Sequence, residues 1–252
     1  MRIELAGSTH VGMKRPHNED SFLLLPEERL CVVADGMGGH ASGEVASRTA
    51  IEAIEAFFRQ TAGDREITWP FAVDESKPYE ENRLVVGIRQ ANARIVDLAA
   101  TDEQFKGMGT TVVSLLVGEA HVWLGWAGDS RAYRLRDGAL QLLSEDHSLL
   151  NDLLKAKKLK PEEAESFPHK NVIVRALGMK DPVAVDVIRD EFQPGDLYLL
   201  CSDGLSSMVA DERIEQILQR TEDLDRAVQQ LIDAANAAGG TDNVTVVLAR
   251  LV

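Results

Sequence analysis

Two apolar runs in this chain, LCVVADG at 30–36 and LYLLCSDG at 197–204, end abruptly in an aspartate followed by glycine. A carboxylate at the tip of a buried strand is costly unless positive charge meets it. The glycine marks backbone that turns sharply or is closely approached. Three further aspartates stand at strand margins: Asp129 in WAGDSR, Asp242 in GGTDNVTVV and Asp20 in RPHNEDSF. A single Asp-Gly is an ordinary turn. Five acids at the margins of five apolar strands demand cations if the fold brings those ends together. Oxygen donors without a nearby Cys or His cluster suit Mg²⁺ or Mn²⁺ and argue against zinc. One aspartate shared by two such ions builds a two-metal site, which lowers the pKa of bound water and holds a hydroxide for in-line attack on phosphorus. Arg15, five residues before Asp20, offers the planar fork that suits phosphate oxygens, with Lys14 beside it a weaker choice.

The 252 residues fit one large domain or two small ones, and no break in composition divides them, so a single domain over 1–252 is expected. The net charge of −14 disfavours nucleic acid and anionic membranes as partners. No apolar run is long enough to span a membrane and the start has no signal-peptide layout, so a cytoplasmic protein is expected. Cys31 and Cys201 lie in apolar runs and read as buried, reduced thiols.

Periodicity places a strand pair around a turn at 26–29, then a helix with Ala46, Ala50, Ile54 and Phe57 on one face. A second helix carries Leu84, Ile88, Ala91, Ile95 and Leu98. Residues 110–143 read as β-hairpins, followed by short charged helices, strands around Pro194-Gly195, two helices and a closing strand. Strands and helices are grouped rather than alternating, which predicts an α+β fold.

Eight segments now carry a resemblance. GMKRPHNEDSF, VVADGMGGHASGE, GMGTTVV, AGDSRAY, DHS, NVIVRALG, LLCSDGLS and GTDNVTVV occur in the order found in the metal-dependent Ser/Thr protein phosphatases of the PP2C or PPM family, and resemble the compact bacterial members most. The resemblance spans Gly12 to Val247. It implies a four-layer α-β-β-α sandwich of two antiparallel sheets flanked by helices, with metals at one end. It implies hydrolysis of phosphoserine and phosphothreonine with two Mn²⁺ or Mg²⁺ ions and a weaker third. Residue by residue, Asp35 resembles the bridging carboxylate, and the Gly36 carbonyl a ligand of the second ion. Asp203 and Asp242 resemble ligands of the first, and Asp129 with Asp203 the pair for the third. Glu19 and Asp20 would act through metal-bound waters, Arg15 would bind phosphate, and His40 would donate a proton to the leaving group. Residues between His147 and Asn171 take the place of the flap beside the site. The implied partners are phosphorylated proteins, substrates of Ser/Thr kinases or the kinases themselves, and the implied state is a monomer.

Several features have plainer readings. His147, after a strand, reads as a structural hydrogen-bonder, and Trp123 and Trp126 as sheet-face packing. Lys155, Lys157, Lys158 and Lys160 read as a solvated helix face, or as a docking patch for phosphopeptides. The polar segment 61–82 contains ITWPFAV, too apolar for disorder. Trp69, Phe71 and Val73 are expected to lie against the body as an extended strip remote from the metals. A catalytically dead binding module is disfavoured by the complete acid set, and a nuclease by the acidic charge.

Overall fold

The computed structural model describes residues 2–38, 42–63, 68–164, 167–169 and 171–252. Strands β1 (Ile3–His10), β2 (Asp20–Leu25) and β3 (Leu30–Met37) come first, followed by helices α1 (Ser42–Gln60) and α2 (Tyr79–Thr101). The short β4 (Gly109–Thr110), then β5 (Val112–Val117), β6 (His121–Ala127), β7 (Arg131–Arg136) and β8 (Ala139–Leu142) form the middle. Helix α3 (Leu149–Lys155), β9 (Asp186–Glu191), β10 (Leu197–Cys201), the one-turn α4 (Asp203–Ser206), α5 (Asp211–Arg220), α6 (Leu224–Ala237) and β11 (Val244–Leu251) complete the chain.

The strands form two sheets, ordered β1-β11-β10-β7-β8 and β2-β3-β5-β6-β9, with β4 attached to β3. Each named pairing is antiparallel. The apolar runs are continuous because the central strands are buried on both faces. Leu30, Val32 and Ala34 of β3 pack with α1 and α2, whereas Cys31 and Val33 face the other sheet. Leu199, Val246 and Leu248 pack under α5 and α6, whereas Leu200, Val247 and Ala249 face inward between the sheets. Three cores thus separate four layers, the α-β-β-α sandwich expected from the resemblance. Both cysteines are buried and unpaired.

Pleating fixes where the acids point. Side chains two apart on a strand share a face, so Asp35 continues the Cys31 and Val33 face into the gap between the sheets. Asp20 is the in-register partner of Asp35 on β2. Phe22 and Leu24, on the face of Asp20, pack on the same inter-sheet core. Asp203 differs in detail from the sequence reading: it opens α4 instead of ending a strand, after the loop residue Ser202.

Of the segment 61–82, residues 64–67 lie outside the described residues. Trp69 and Phe71 pack against the helix-side core. The Trp69 ring meets Phe57 edge-on at 5.8 Å and Tyr79 at 5.2 Å. Val73 does not join the strip: it is 46% exposed, because Asp74 begins a turn in which its side chain accepts from Ser76 and its backbone bonds to Asn82. Truncating Trp69 to alanine is expected to cost about 1–3 kcal/mol of stability, less than a fully buried aromatic because the ring is partly exposed. Denaturant unfolding checks the loss, and Mn²⁺ titration of the variant is expected to match wild type.

Candidate metal centre and active site

Five strand margins meet at one end of the sandwich. Asp20 and Asp35 come from the start of β2 and the end of β3 in one sheet. Asp203 and Asp242 come from the α4 and β11 starts beside the other sheet. Asp129 sits on the crossing from β6 to β7, between the two. Like charges directly opposite each other on paired strands destabilise a sheet, and Asp20 faces Asp35 in just that way.

The electrostatics follow from this crowding. Asp20 is 7% exposed, and burial pushes its pKa to about 7 even though Thr245 and Ser202 donate hydrogen bonds to Oδ2 at 2.6 and 2.8 Å. That departure disfavours its ionised form by roughly 4 kcal/mol. Asp35 is driven well above the carboxylate range, first by desolvation and then by Asp20, Asp203, Asp129 and Asp242. Asp129 rises to about 7 through desolvation and Asp203, and Asp203 to about 6 through desolvation and Asp242. The neighbouring Asp35 carboxyl offsets part of that rise at Asp203. Asp20 Oδ1 and Asp129 Oδ1 are buried without a hydrogen-bond partner.

Two buried carboxylate oxygens without donors, among acids whose pKa values are raised by burial and by one another, fit hard divalent cations. Among the described residues, no group of three or more His, Cys, Asp or Glu is placed, as the side chains stand, to hold a metal ion.

Backbone contacts hold the acids in place. Asp35 N–H donates to Thr111 Oγ1 at 3.0 Å, and the Asp35 carbonyl accepts from Thr111 N–H at 2.8 Å and Thr110 Oγ1 at 2.9 Å. Gly36 N–H donates to the Glu19 carbonyl at 3.1 Å. A Cβ on Gly36 would run into the carbonyl oxygens of Gly43 and Glu19. The glycine after the strand-end acid is therefore required by close packing of α1 and the β1–β2 loop. The Glu19 carboxyl, raised by desolvation, also accepts from Gly43 N–H.

Arg15 lies exposed at the mouth, where Nη2 donates to Asp242 Oδ2 at 2.6 Å. This hydrogen bond raises the Arg15 pKa, so the cation is permanent. His40 lies outside the described residues. His147 is the structural hydrogen-bonder expected: its Nδ1 accepts from Gly128 N–H at 3.1 Å. Trp123 and Trp126 pack in the cores. Lys155 is exposed, as expected, and pairs with Glu145, but α3 ends there, so the exposed Lys157, Lys158 and Lys160 lie beyond the helix.

Sequence reading missed Asn243. Its side chain accepts from Glu19 N–H at 2.8 Å and donates to the carbonyls of Val11 and His17, both at 2.9 Å. It clamps the loop carrying Arg15 and Glu19 beside Asp242. Ser202 and Thr245, the donors to Asp20, were missed as well. The only signal was their adjacency to Asp203 and Asp242, which does not reveal a partner about 180 or 225 positions away.

A layered α-β-β-α sandwich with acids from both sheets at one end, and an arginine at its mouth, defines a hard-metal phosphate-handling protein. A protein phosphatase 2C family profile matches residues 6–249. The chain is 37% identical over 243 residues to the serine/threonine phosphatase stp of Listeria innocua, covering 95% of this chain and 92% of that one. The crystal structure of the Mycobacterium tuberculosis serine/threonine phosphatase PstP superimposes with a TM-score of 0.87 at 37% identity, over 100% of this chain and 99% of the other. A second structure, the PstP catalytic domain in complex with two manganese ions, gives 0.81 at 35% identity over 98% and 97%. This chain belongs to the protein phosphatase 2C family.

The raised carboxyl pKa values set the pH dependence of the metal-free protein. Between the unfolded value near 3.8 and the folded values of about 6 to 7, the native state binds more protons than the unfolded one. Stability therefore falls as pH rises through that window. Thermal melts in chelator are expected to give a higher Tm near pH 5.5 than near pH 8, and added Mn²⁺ to raise Tm more at the higher pH. Equal chelated Tm values would show that the acids are not crowded.

Proposed function

We propose that Asp35, Asp203, Asp242 and the Gly36 carbonyl hold two divalent cations, with Asp129 and Asp203 serving a weaker third. On this reading the single domain 1–252 hydrolyses phosphoserine and phosphothreonine in phosphoproteins. Metal-dependent protein Ser/Thr phosphatase activity is the activity of the family to which the chain belongs. The observation that carries the residue assignment is the convergence of the five acids, two with donorless buried oxygens, beside Arg15.

When bound, Mn²⁺ or Mg²⁺ supplies neutralising charge and an activated water for in-line displacement at phosphorus. The chain's residues do the rest. Asp35, central in the acid cluster, can serve both ions. Glu19 and Asp20 would act through waters held by the ions. Arg15 spends one guanidinium nitrogen on Asp242, which aims the fork across the mouth, where it can take phosphate oxygens. His40 stands two residues before α1 in sequence and is assigned proton donation to the serine or threonine alkoxide.

The natural partners on this reading are phosphoproteins made by Ser/Thr kinases, or the kinases themselves, met by a monomer in the cytoplasm. It is supported by the named activity of the relatives and by the absence, among the described residues, of any helix long and apolar enough to cross a membrane.

Mn²⁺-dependent release of phosphate from a phosphothreonine peptide tests the assignment. Asp35→Asn and Asp203→Asn are each expected to abolish turnover while leaving the fold intact and the metal-free protein no less stable, since each removes like-charge repulsion. Activity within a few-fold of wild type at saturating Mn²⁺ would overturn it.

Arg15→Ala is expected to lower kcat/KM about 10- to 150-fold, the worth of one charge-assisted contact. Arg15→Lys should recover only part of this, because an ammonium lacks the fork. Full recovery would exclude a bidentate contact.

His40→Ala is expected to slow phosphopeptide hydrolysis far more than nitrophenyl phosphate hydrolysis, because nitrophenolate leaves without a proton. Equal losses would remove the proton-donor role.

A further inference from the structure

Arg15 stands at the mouth with little to steady it. Its guanidinium hydrogen-bonds Asp242 and, among the described residues, nothing else, and about half of its side chain is exposed. A group that must meet phosphate oxygens in one geometry needs a firm base. Here the base is the backbone just before it, residues 10–13, where β1 ends.

His10 is the last residue of β1, in register with Val244 of β11. Its Nδ1 accepts from the Gly12 N–H at 2.9 Å. A side chain that bonds the backbone two residues ahead is how Asn and Asp close Asx turns, and the imidazole does the same work here. The turn lies tight against the loop that carries Asp242. Gly12 has a φ of +80°, and a Cβ there would run into the Asp242 carbonyl oxygen. Met13 N–H then donates to the Gly240 carbonyl at 2.7 Å.

The same ring nitrogen also reaches the Asp242 side. Asn236, in the last turn of α6, brings Nδ2 to 3.2 Å from His10 Nδ1. Asn236 Oδ1 is left buried without a hydrogen-bond partner, so His10 is what orients that amide. Nδ1 faces two donors, which puts the proton of the neutral imidazole on Nε2. One ring thus stands where two loops diverge, and the tips of those loops meet again in the Arg15–Asp242 ion pair at 2.6 Å. Asn243 also braces the first loop, but through the carbonyls of Val11 and His17. The Gly12 N–H is held by His10.

We propose that His10 is a positioning residue for Arg15: by closing the Gly12 turn against the end of α6, it sets where the guanidinium fork stands at the mouth. This rests on the reading of Arg15 as the phosphate ligand. Asp242 is secured separately, because its carboxylate accepts from Asn243 N–H at 2.9 Å and β11 begins at Val244. Loosening the turn therefore moves Arg15 and leaves the acids in place.

The test is inhibition of nitrophenyl phosphate hydrolysis by inorganic phosphate, run beside a calorimetric Mn²⁺ titration of each variant. His10→Ala is expected to raise KM and the phosphate inhibition constant about three- to ten-fold, the range of one neutral hydrogen bond, with kcat and Mn²⁺ affinity within about two-fold of wild type. His10→Asn carries an acceptor near the Nδ1 position, can close the turn as an Asx turn, and is expected to stay near wild type. His10→Gln carries its amide near the Nε2 position, cannot close the turn, and is expected to behave like His10→Ala. The Asn and Gln variants decide the matter if His10→Ala does not fold. Combining His10→Ala with Arg15→Ala is expected to cost no more than Arg15→Ala alone. Wild-type phosphate inhibition in His10→Gln, equal impairment of the Asn and Gln variants, Mn²⁺ affinity lost in step with phosphate affinity, or additive losses in the double variant would each overturn the positioning role. Arg15→Ala separates the two readings. If it leaves phosphate inhibition unchanged, Arg15 is not the phosphate ligand; if it weakens inhibition while His10→Gln does not, the role of His10 alone fails.

Discussion

The arrangement depends on one unfavourable contact. Asp20 and Asp35 face each other in register across β2 and β3, on the dry side of their sheet. Neither can turn away without reversing the alternation that buries Cys31, Val33, Phe22 and Leu24 between the sheets. A strand shift of one residue would send the acids outward, but it would expose that whole set. The hydrophobic register thus forces two carboxylates together, and charge must then come from protons or cations. Burial first, and then the neighbouring carboxylates, hold Asp35 far above its ordinary range.

Around that contact, the polar residues act as braces. Thr111 holds the backbone of Asp35 from both sides. Ser202 and Thr245 reach from the second sheet to Asp20, stitching the two sheets together where hydrophobic packing gives out. Asn243 ties the β1–β2 loop to the start of β11 and so fixes Arg15 beside Asp242. These contacts hold in place, before any ion binds, groups that would otherwise repel one another, and this preorganisation is what an active site requires.

Much of this was legible from local pattern. An aspartate beside an apolar run reports a strand margin, so Asp129 and Asp242 were found where they lie, and Asp35 within two residues of the end of β3, which runs on to Met37. Grouped strands and helices gave the layers. The braces were not legible, because a serine, threonine or asparagine beside a turn is usually satisfied by its own neighbours. What distinguishes Ser202, Thr245 and Asn243 is a partner from the other end of the chain. Asp203 was read as a strand end because its apolar run is continuous, whereas Ser202 leaves the ladder and α4 begins one residue earlier than the glycine implied. Val73 was assigned to the packed strip by alternation alone, and the Asp74 turn overrides that alternation.

The inter-sheet core has a role beyond stability. Asp20 and Asp35 ride on one sheet, Asp203 and Asp242 beside the other, and the side chains between them, among them Val33, Val113, Leu200 and Val247, fill the gap. That filling acts as a spacer gauge: its thickness sets how far apart the two halves of the acid cluster stand. The helix-side cores have no such reach, since a shift there moves a helix over the back of one sheet. A methylene gained or lost between the sheets is therefore read out several residues away, as a change in the spacing of the acids. The same change beneath α1 or α6 is read only as a change in how firmly the layer is held.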